Sequence, residues 1–408
     1  MNHDSDILIV GGGLNGCALA LALAIGGQRV TLIDAQPLAA LQAQDFDGRS
    51  YALALGSQRL LAALGLWRHL GPEAQPILQV KASDGRAGTG AAPFVLHLDH
   101  AEIEEGPMGY MVEDRHLRAA FLTAVARNPD IGHLTGDTVV AQSVGPRVAT
   151  VTLASGRALT ARLLVGCDGR GSGTASRAGI GRTGWSYRQT ALVCAIAHEL
   201  PHHGIAHQFF MPAGPLAILP LTGNRSSIVW SETTAQAEVL IALPDPAFLA
   251  ALSPRFGDFL GGIGLTGQRY SYPLALSLAN GLTAARLALV GDAAHGVHPI
   301  AGQGLNLGLR DVAALAEVVT LARRRGEDIG SAGVLQRYQQ WRRFDTAALA
   351  GATDMFNRLF SNDNPALRVV RDLGMGAVNA LPGLRRHLIR EAAGLTGDLP
   401  KLLRGQPI

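Results

Sequence analysis

The chain has 408 residues, of which 48% are hydrophobic and only 16% are charged, and 50 of them are glycine. This composition can fill a large core, which excludes a disordered chain, and the length exceeds what one core supports, so two or three domains are expected. The formal net charge is +3, and no long block of lysine or arginine is present, which argues against nucleic acid as a partner.

The first 34 residues predict a βαβ unit that binds a dinucleotide. A β-rich run at Asp6–Val10 precedes a glycine-rich turn, an apolar helix and a second strand. Gly11, Gly13 and Gly16 allow a tight turn in which a pyrophosphate approaches the N–H groups of the helix start. Asp34 ends the second strand, where a carboxylate accepts hydrogen bonds from the adenosine ribose. This motif does not separate FAD from NAD, and a glycine-rich turn without a ligand is the alternative.

Further along the chain, the pattern predicts helices at 57–70 and 114–127. It also predicts antiparallel hairpin strands at 138–153 and a buried parallel strand at 163–169. Residues 185–275 consist mainly of short strand-like runs, which are typical of an antiparallel sheet. The parallel-strand pattern returns at Leu287–Asp292, and a long helix is predicted at 305–324. Only helical periodicity follows.

These elements predict an α/β protein, α+β overall. A Rossmann-like nucleotide-binding domain carries an inserted, mostly antiparallel β-sheet substrate domain and C-terminal helices. The nucleotide-binding domain is predicted to be discontinuous, with segments 1–72, 98–184 and 276–345. The substrate domain is assigned segments 73–97 and 185–275, and the C-terminal helical region is assigned 346–408.

The cysteines Cys17, Cys167 and Cys194 are odd in number and far apart, which favours neither a disulfide framework nor a metal site. A reducing cytoplasm and no bound metal are therefore expected. The longest apolar stretch, Cys17–Ile25, is much shorter than the roughly 20 residues that span a bilayer. Any membrane contact is expected to be peripheral, on the inner face of the cytoplasmic membrane.

A second motif bears on the choice between FAD and NAD. The segment Gly291–Asp311 reads GDAAHGVHPIAGQGLNLGLRD and lies between a predicted strand and a predicted helix. It resembles the second flavin fingerprint of the single-component flavin monooxygenases related to para-hydroxybenzoate hydroxylase. The resemblance implies that Asp292 binds the ribityl chain and that Pro299 lies beside the flavin reaction centre. It also implies that N–H groups at the helix start face the isoalloxazine ring, around Gly302, Gly304, Leu305 and Asn306.

The segment Cys167–Ser172 resembles the Asp-Gly motif of the same family and implies that Asp168 contacts the cofactor. The family usually has an arginine three residues after the serine, whereas Ala175 stands at that position in this chain. No arginine is therefore assigned to phosphate binding in this turn. The alternative for Asp168 is a structural role in a turn that ends the strand.

The segment Asp47–Leu53 and the run His298–Asp311 resemble the ubiquinone-biosynthesis hydroxylases within this superfamily. Val112–Leu117 adds support at the position of their helix-opening motif. By this resemblance, Arg49 reaches the FAD near its pyrophosphate or flavin. The superfamily often has an arginine where this chain has Asp114, so no phosphate role is transferred to that residue.

The resemblance implies an FAD-dependent monooxygenase that hydroxylates the ring of a polyprenylated phenol or benzoquinol in ubiquinone biosynthesis. In this family, the reduced flavin combines with O2 to give a hydroperoxide that attacks an electron-rich aromatic carbon. No separate nicotinamide-binding domain is recognisable, so the electron donor is NAD(P)H or an external reductase. The alternatives are a same-fold enzyme with another aromatic or prenyl substrate, and a non-catalytic flavin-binding subunit of a ubiquinone-biosynthesis assembly.

The substrate pocket is expected to be apolar so that it excludes water from the flavin. Candidate wall residues come from the antiparallel segment, although each is equally well explained as sheet core: Phe209, Phe210, Met211, Leu219 and Pro220. For His295 and His298, a hydrogen-bonded structural role is favoured over that of a general base.

The C-terminal region carries basic residues at helical spacing amid apolar ones, namely Arg368, Arg371, Arg385, Arg386, His387 and Arg390. Such a helical face either lies on anionic lipid or packs against the protein's own domains. The two interpretations are compatible.

Overall fold

A computed structural model of the protein describes residues 3–43, 45–86, 88, 90–296, 303–343, 345, 351, 374 and 376–408. Its strands, in chain order, are β1 (Ile7–Val10), β2 (Val30–Asp34), β3 (Ser50–Ala54), β4 (Gln75–Ile77), β5 (Gln79–Arg86), β6 (Gly90–Asp99), β7 (Gly109–Glu113), β8 (Ile131–Thr135), β9 (Val139–Val144), β10 (Ala149–Leu153), β11 (Ala158–Ala161), β12 (Leu163–Gly166), β13 (Arg182–His198), β14 (Ile205–Met211), β15 (Gly214–Leu221), β16 (Arg225–Thr233), β17 (Ile263–Ala279), β18 (Thr283–Ala284), β19 (Leu287–Leu289) and β20 (His295–Gly296). Its α-helices are α1 (Leu14–Ile25), α2 (Leu38–Leu41), α3 (Leu55–Ala63), α4 (Trp67–Leu70), α5 (Asp114–Arg127), α6 (Gly173–Arg177), α7 (Thr234–Ala242), α8 (Asp245–Phe256), α9 (Gln303–Arg324) and α10 (Pro382–Ala392).

The first of the two large sheets has six strands, in the order β18-β19-β12-β1-β2-β8. Its strands are parallel except for the short pairing of β18 with β19. All four residues of β1 are buried, as expected for a parallel strand that is covered on both faces. The Ala- and Leu-rich helix α1 packs against α5 and α9 and shares the hydrophobic core of this sheet.

Two small sheets flank the parallel one. The hairpin strands predicted at 138–153 are confirmed, because β9, β10 and β11 pair antiparallel. The other small sheet has the order β3-β7-β4 and places the N-terminus of α5 beside the start of β3. The helix predicted at 57–70 is instead divided into α3 and α4, because Gly65 adopts a positive φ of 75° that ends the first helix.

An eight-stranded sheet of order β20-β17-β13-β16-β15-β14-β5-β6 contains most of the antiparallel strands. The strands β5 and β6, from the segment predicted to join the substrate domain, pair at one edge of it. Helices α7 and α8 pack on one face, over a core that includes Trp230 and Phe248. The other face carries Ala195, Ala206 and Leu221, which pack with residues of β4 and β7. The predicted fold class, a Rossmann-like parallel sheet combined with an antiparallel one, is confirmed.

Helix α10 is anchored on the protein by its buried Ile389 and by ion pairs. Arg385 Nε lies 2.7 Å from Glu102 Oε1, and Arg390 pairs with Glu105. Two of the predicted basic residues therefore face the protein itself, whereas Arg368 and Arg371 lie outside the described residues. Among the described helices, none combines the length and apolar character needed to cross a bilayer.

Candidate active site

The glycine-rich turn between β1 and α1 is shaped by close backbone contacts. Gly11 has a φ of 104°, and a Cβ there would overlap the carbonyl group of Cys167. A Cβ on Gly16 would overlap the Gly11 carbonyl oxygen. A Cβ on Gly13, the N-cap of α1, would meet no described residue within 4 Å, so the described part of the chain leaves space open in front of the helix N-terminus. The unpaired N–H groups of the first helical turn border this space and favour an anion.

Asp34 lies beside this turn, at the end of β2. Its side chain is buried, and Oδ1 accepts a 2.8 Å hydrogen bond from the Gln36 N–H. A Cβ on Gly12 would lie only 2.5 Å from Asp34 Oδ2, which shows how closely the carboxylate approaches the turn. An ionised carboxylate can accept further hydrogen bonds, so the position suits contact with ribose hydroxyl groups.

The second glycine-aspartate turn follows β19 as a short 3-10 helix, Gly291–Ala293. Arg182 holds it in place by donating to the carbonyl oxygens of Ala293 at 2.5 Å and Asp292 at 3.2 Å. The Asp292 side chain is 41% exposed, and its Oδ2 lies 3.3 Å from Arg170 Nε. Burial lowers the pKa of Arg182. The hydrogen bonds from Arg182 hold the backbone of this turn, and the partly exposed carboxylate of Asp292 remains accessible to a ligand.

The start of α9 is tied to β3 and α3 through Asn306. Its Oδ1 accepts from the Ala54 N–H at 2.8 Å and the Ser57 hydroxyl at 2.7 Å, and its Nδ2 donates to the Ala52 carbonyl at 2.8 Å. Since the side chain is engaged within the protein, the backbone is the part of Asn306 that suits a cofactor. Among the residues that the structure describes, none lies within 4 Å of a Cβ placed on Gly304.

Of the other residues predicted around the ring, Leu305 is partly buried against the core of the parallel sheet. Gly302 and Pro299 lie outside the described residues, and so does His298.

A buried ionic network supports the second turn from behind. Asp311 Oδ2 accepts from the Gly291 N–H at 3.0 Å and lies 2.6 Å from His295 Nε2, while Oδ1 accepts from Arg342 Nε at 2.8 Å. Burial would raise the pKa of Asp311, but His295 and Arg342 outweigh it and hold the pKa below its ordinary value. His295 is a buried, hydrogen-bonded residue, as predicted.

Arg49 lies immediately before β3 and is held by two carboxylates. Its Nη2 lies 2.7 Å from Asp47 Oδ2 and 3.1 Å from Asp114 Oδ2. Asp114 is buried and also accepts from Arg118 Nε at 2.7 Å. Burial opposes the charge of Arg49, but the two carboxylates outweigh it and raise the pKa. The guanidinium, 5.8 Å from the Tyr270 ring centroid, remains partly exposed and available to an anionic or aromatic ligand.

Asp168 uses both carboxylate oxygens inside its own turn. Oδ1 accepts from the Ser172 hydroxyl at 2.5 Å, and Oδ2 accepts from the Thr174 N–H and hydroxyl, each at 2.9 Å. These bonds cap the first turn of α6. The geometry matches the structural alternative, and a cofactor contact of Asp168 stays a prediction.

The candidate wall residues of the eight-stranded sheet divide between its two faces. Phe209 and Met211 pack in the core beneath α7 and α8, so their expected place in the pocket wall is wrong. Phe210 contacts Ala82 and Leu96 on the opposite face, and Leu219 packs on that face too. The alternation of β15 turns Pro220 away from the face of Leu219.

Arg182 and Asp114 have no role that the sequence alone assigns. Arg182 reaches carbonyl groups more than a hundred residues away, and nothing near it in sequence indicates that contact. Asp114 lies in the helix-opening motif at Val112–Leu117, which marks the place but not the pairing with Arg49.

The chain matches the family described as FAD binding domain over residues 4–350. It is 47% identical to ubiquinone hydroxylase UbiL of Rhodospirillum rubrum over 407 residues, which cover 99% of this chain and 94% of that protein. It is 34% identical to 3-demethoxyubiquinol 3-hydroxylase of Escherichia coli over 396 residues, which cover 97% of this chain and 100% of that protein.

Solved structures share the fold. The p-nitrophenol 4-monooxygenase PnpA from Pseudomonas putida superposes with a TM-score of 0.80 at 20% identity, covering 97% of this chain and 99% of that chain. PqsL from Pseudomonas aeruginosa gives a TM-score of 0.76 at 23% identity, covering 92% of this chain and 100% of that chain. Together with the extended identity to UbiL, the family match shows that this protein belongs to the FAD-binding monooxygenase family that includes the ubiquinone-biosynthesis hydroxylases, as its motifs predicted.

Proposed function

We propose that the protein hydroxylates the aromatic ring of a polyprenylated phenol or benzoquinol in ubiquinone biosynthesis. One observation carries this proposal: the open glycine turn of α1 and the Gly291–Ala293 turn occur in a chain that is 47% identical, over nearly its whole length, to a protein named ubiquinone hydroxylase. Bound FAD supplies the chemistry that activates O2 after reduction. The protein binds and orients the reactants and excludes water.

The two halves of FAD are assigned to two regions of the parallel-sheet domain. The ADP half is assigned to the turn formed by Gly11, Gly13 and Gly16, with its ribose on Asp34. Open space at Gly13 and the free N–H groups of the helix start support this placement.

For the flavin half, Arg49 is assigned to the pyrophosphate or ring edge, Asp292 to the ribityl chain, and Pro299 to the wall beside the reaction centre. The ring itself is assigned to the backbone of Gly302, Gly304, Leu305 and Asn306. At the helix start, N–H groups and the helix dipole would stabilise negative charge on the reduced ring.

The domain boundaries predicted from the sequence are part of the proposal. In that division, the eight-stranded sheet closes over the flavin with the face that carries Ala195, Ala206 and Leu219. This face is apolar, which supports a role in excluding water during the reaction.

NAD(P)H is proposed as the electron donor, with an external reductase as the alternative, and O2 as the co-substrate. Steady-state turnover of the purified protein with NADH, NADPH or neither distinguishes these donors. A protein that binds FAD but consumes no oxygen with any donor would instead fit the non-catalytic subunit.

A cytoplasmic location with peripheral membrane contact is proposed, because the substrate class carries a polyprenyl tail. Exposed residues at the start of α10 support it: Leu381, the N-cap, is 54% exposed, Leu384 is 41% exposed, and the exposed Arg386 and His387 follow in the helix. Apolar and basic residues together suit an anionic lipid surface or a partner protein of the pathway.

Gene deletion in the host tests the substrate assignment. The expected result is a polyprenyl intermediate that lacks one ring oxygen, detected by mass spectrometry of the quinone pool and removed by complementation with the wild-type gene. Complementation with the Gly13→Val variant serves as the matched control and should leave the intermediate in place. Unchanged ubiquinone in a host without a second hydroxylase would contradict the proposal.

A further inference from the structure

Asn15, in the first turn of α1, packs against glycines from two other segments of the candidate FAD site. A Cβ on Gly291 would lie 3.1 Å from Asn15 Cγ, and one on Gly308 would lie 2.7 Å from the same atom. In both cases it would overlap the side-chain amide nitrogen. Asn15 Oδ1 is buried and accepts no hydrogen bond within the described part of the chain. The amide group therefore occupies the space that these two glycines leave.

Gly308 is informative because its backbone conformation does not require glycine. It lies inside α9 and is not among the glycines with positive φ, whereas Gly291 has a φ of 65°. Alanine is a much better helix former than glycine at such a position. Contact with Asn15 gives a physical reason for a glycine at 308.

We propose that Asn15 is a positioning residue that sets the separation between the α1 turn and the two segments assigned to the flavin half of FAD. Asn15 lies in the turn assigned to the pyrophosphate, Gly291 precedes Asp292, and Gly308 lies about one turn beyond the start of α9. A ligand that spans the site binds with both halves only when these segments have the correct spacing. This inference rests on the FAD placement proposed above.

The spacing role has a consequence that distinguishes it from local packing. FAD joins an ADP half to a flavin half, so its affinity depends on engaging both subsites at once. ADP alone uses only the subsite at the α1 turn. A change in spacing should therefore weaken FAD much more than ADP.

The first test compares these two ligands on the full-length Asn15→Ala variant. Protein stripped of FAD is titrated with FAD by flavin fluorescence, and ADP is measured by competition. We expect FAD to bind at least about tenfold more weakly while ADP changes by less than about twofold. Equal losses for FAD and ADP would overturn the proposal, because they indicate a purely local role, and so would no loss for either ligand.

The second test uses the contact with Gly308. Gly308→Ala places a methyl group against the Asn15 amide and should weaken FAD by about tenfold or more. Adding Asn15→Ala removes the overlap, so the double variant should bind FAD no more weakly than Asn15→Ala alone. Gly333→Ala is the matched control, since Gly333 is helical and a Cβ there would lie within 4 Å of no residue in the described ranges.

Wild-type FAD affinity in Gly308→Ala would overturn the proposal, and so would a double variant whose loss of affinity is the product of the two single losses, because the two residues would then act independently. Thermal melting of each stripped variant identifies any that fail to fold; if Gly308→Ala does so, the comparison of FAD with ADP on Asn15→Ala still tests the proposal. Because these titrations use no aromatic substrate, they give the same answer whether or not the ring-hydroxylation proposal holds.

Discussion

Single residues in the candidate site divide into those that face open space and those that support them. Gly13 and Asp292 are accessible, whereas Asp114 and Asp311 are buried behind them and paired with arginines. Buried charges of this kind require partners, because an isolated charge in the protein interior is costly. Substitutions in the two groups should therefore have different effects.

The accessible group is tested by Gly13→Val and Asp292→Ala. Gly13 has extended backbone angles, and a Cβ there contacts none of the described residues, so valine is compatible with the fold but occupies the space assigned to the pyrophosphate. Both variants should be soluble and colourless, with melting temperatures close to that of the stripped wild type. Yellow protein with stoichiometric FAD from both variants would contradict the site assignment.

His207 should make stability depend on pH. Its ring centroid lies 4.5 Å from that of Phe259, and burial, with a smaller effect of Lys81, lowers the pKa of His207 to about 4. Between that value and the ordinary pKa of about 6.5, the unfolded chain binds a proton that the folded chain does not. Stability from this residue is therefore complete above about pH 7 and is lost as the pH falls toward 4, by up to about 3 kcal/mol.

Thermal melting at neutral pH and at about pH 5 measures this effect. The His207→Phe variant keeps an aromatic ring in the cluster and has no proton to bind, so it should lose less stability than the wild type over the same pH interval. Equal losses in the two proteins would show that His207 does not carry the pH dependence.

At the scale of elements, Asp311 joins three segments that are separate in sequence. It binds the Gly291–Ala293 turn, β20 through His295, and the helical residues 332–343 through Arg342. Asp311→Asn would remove the negative charge that His295 and Arg342 share in the core and leave Arg342 paired with Asp345 alone, so it should reduce the free energy of unfolding by about 3 kcal/mol.

Urea unfolding of the full-length protein checks this value. Asp137→Asn provides the control, because Asp137 accepts a 2.6 Å hydrogen bond from Ser155 at an exposed position. An Asp311→Asn variant no less stable than this control would contradict the network's supporting role.

Comparison of these elements with the sequence shows which parts of the structure can be predicted from local patterns. The turn at Gly11–Gly16, α5 and the hairpin at 138–153 are encoded by local patterns, and the structure matches them closely. The division at Gly65 is not predicted, because apolar periodicity continues across it. A structural role for Asp168 is predicted as an alternative, whereas the bond from Arg182 to the Asp292 carbonyl joins residues about a hundred positions apart and has no local signal.

For the whole molecule, the eight-stranded sheet separates a core covered by α7 and α8 from a face that packs with residues of β4 and β7. Ile218 and Leu219 are neighbours in β15 and belong to these two different environments. Their substitution by alanine therefore compares fold stability with pocket closure at almost the same position in the chain.

Ile218→Ala should reduce the free energy of unfolding by about 2–5 kcal/mol, because it removes a fully buried side chain. Leu219→Ala should affect unfolding less and should increase the hydrogen peroxide released per NAD(P)H oxidised, because the pocket would admit more water. Urea unfolding and a peroxide assay measure the two effects. If Ile218→Ala instead increased peroxide release and Leu219→Ala caused the larger loss of stability, the pocket would lie on the face of Ile218.

The proposed function depends on the transfer of one oxygen atom from O2 to an aromatic ring. This transfer is measured by incubating the FAD-loaded protein with NADPH, a polyprenylated phenol and isotopically labelled O2, followed by mass spectrometry of the product. We expect a ring that carries one labelled oxygen atom, formed in proportion to the NADPH consumed. Oxidation of NADPH with an unlabelled ring and all the oxygen recovered as hydrogen peroxide would contradict ring hydroxylation.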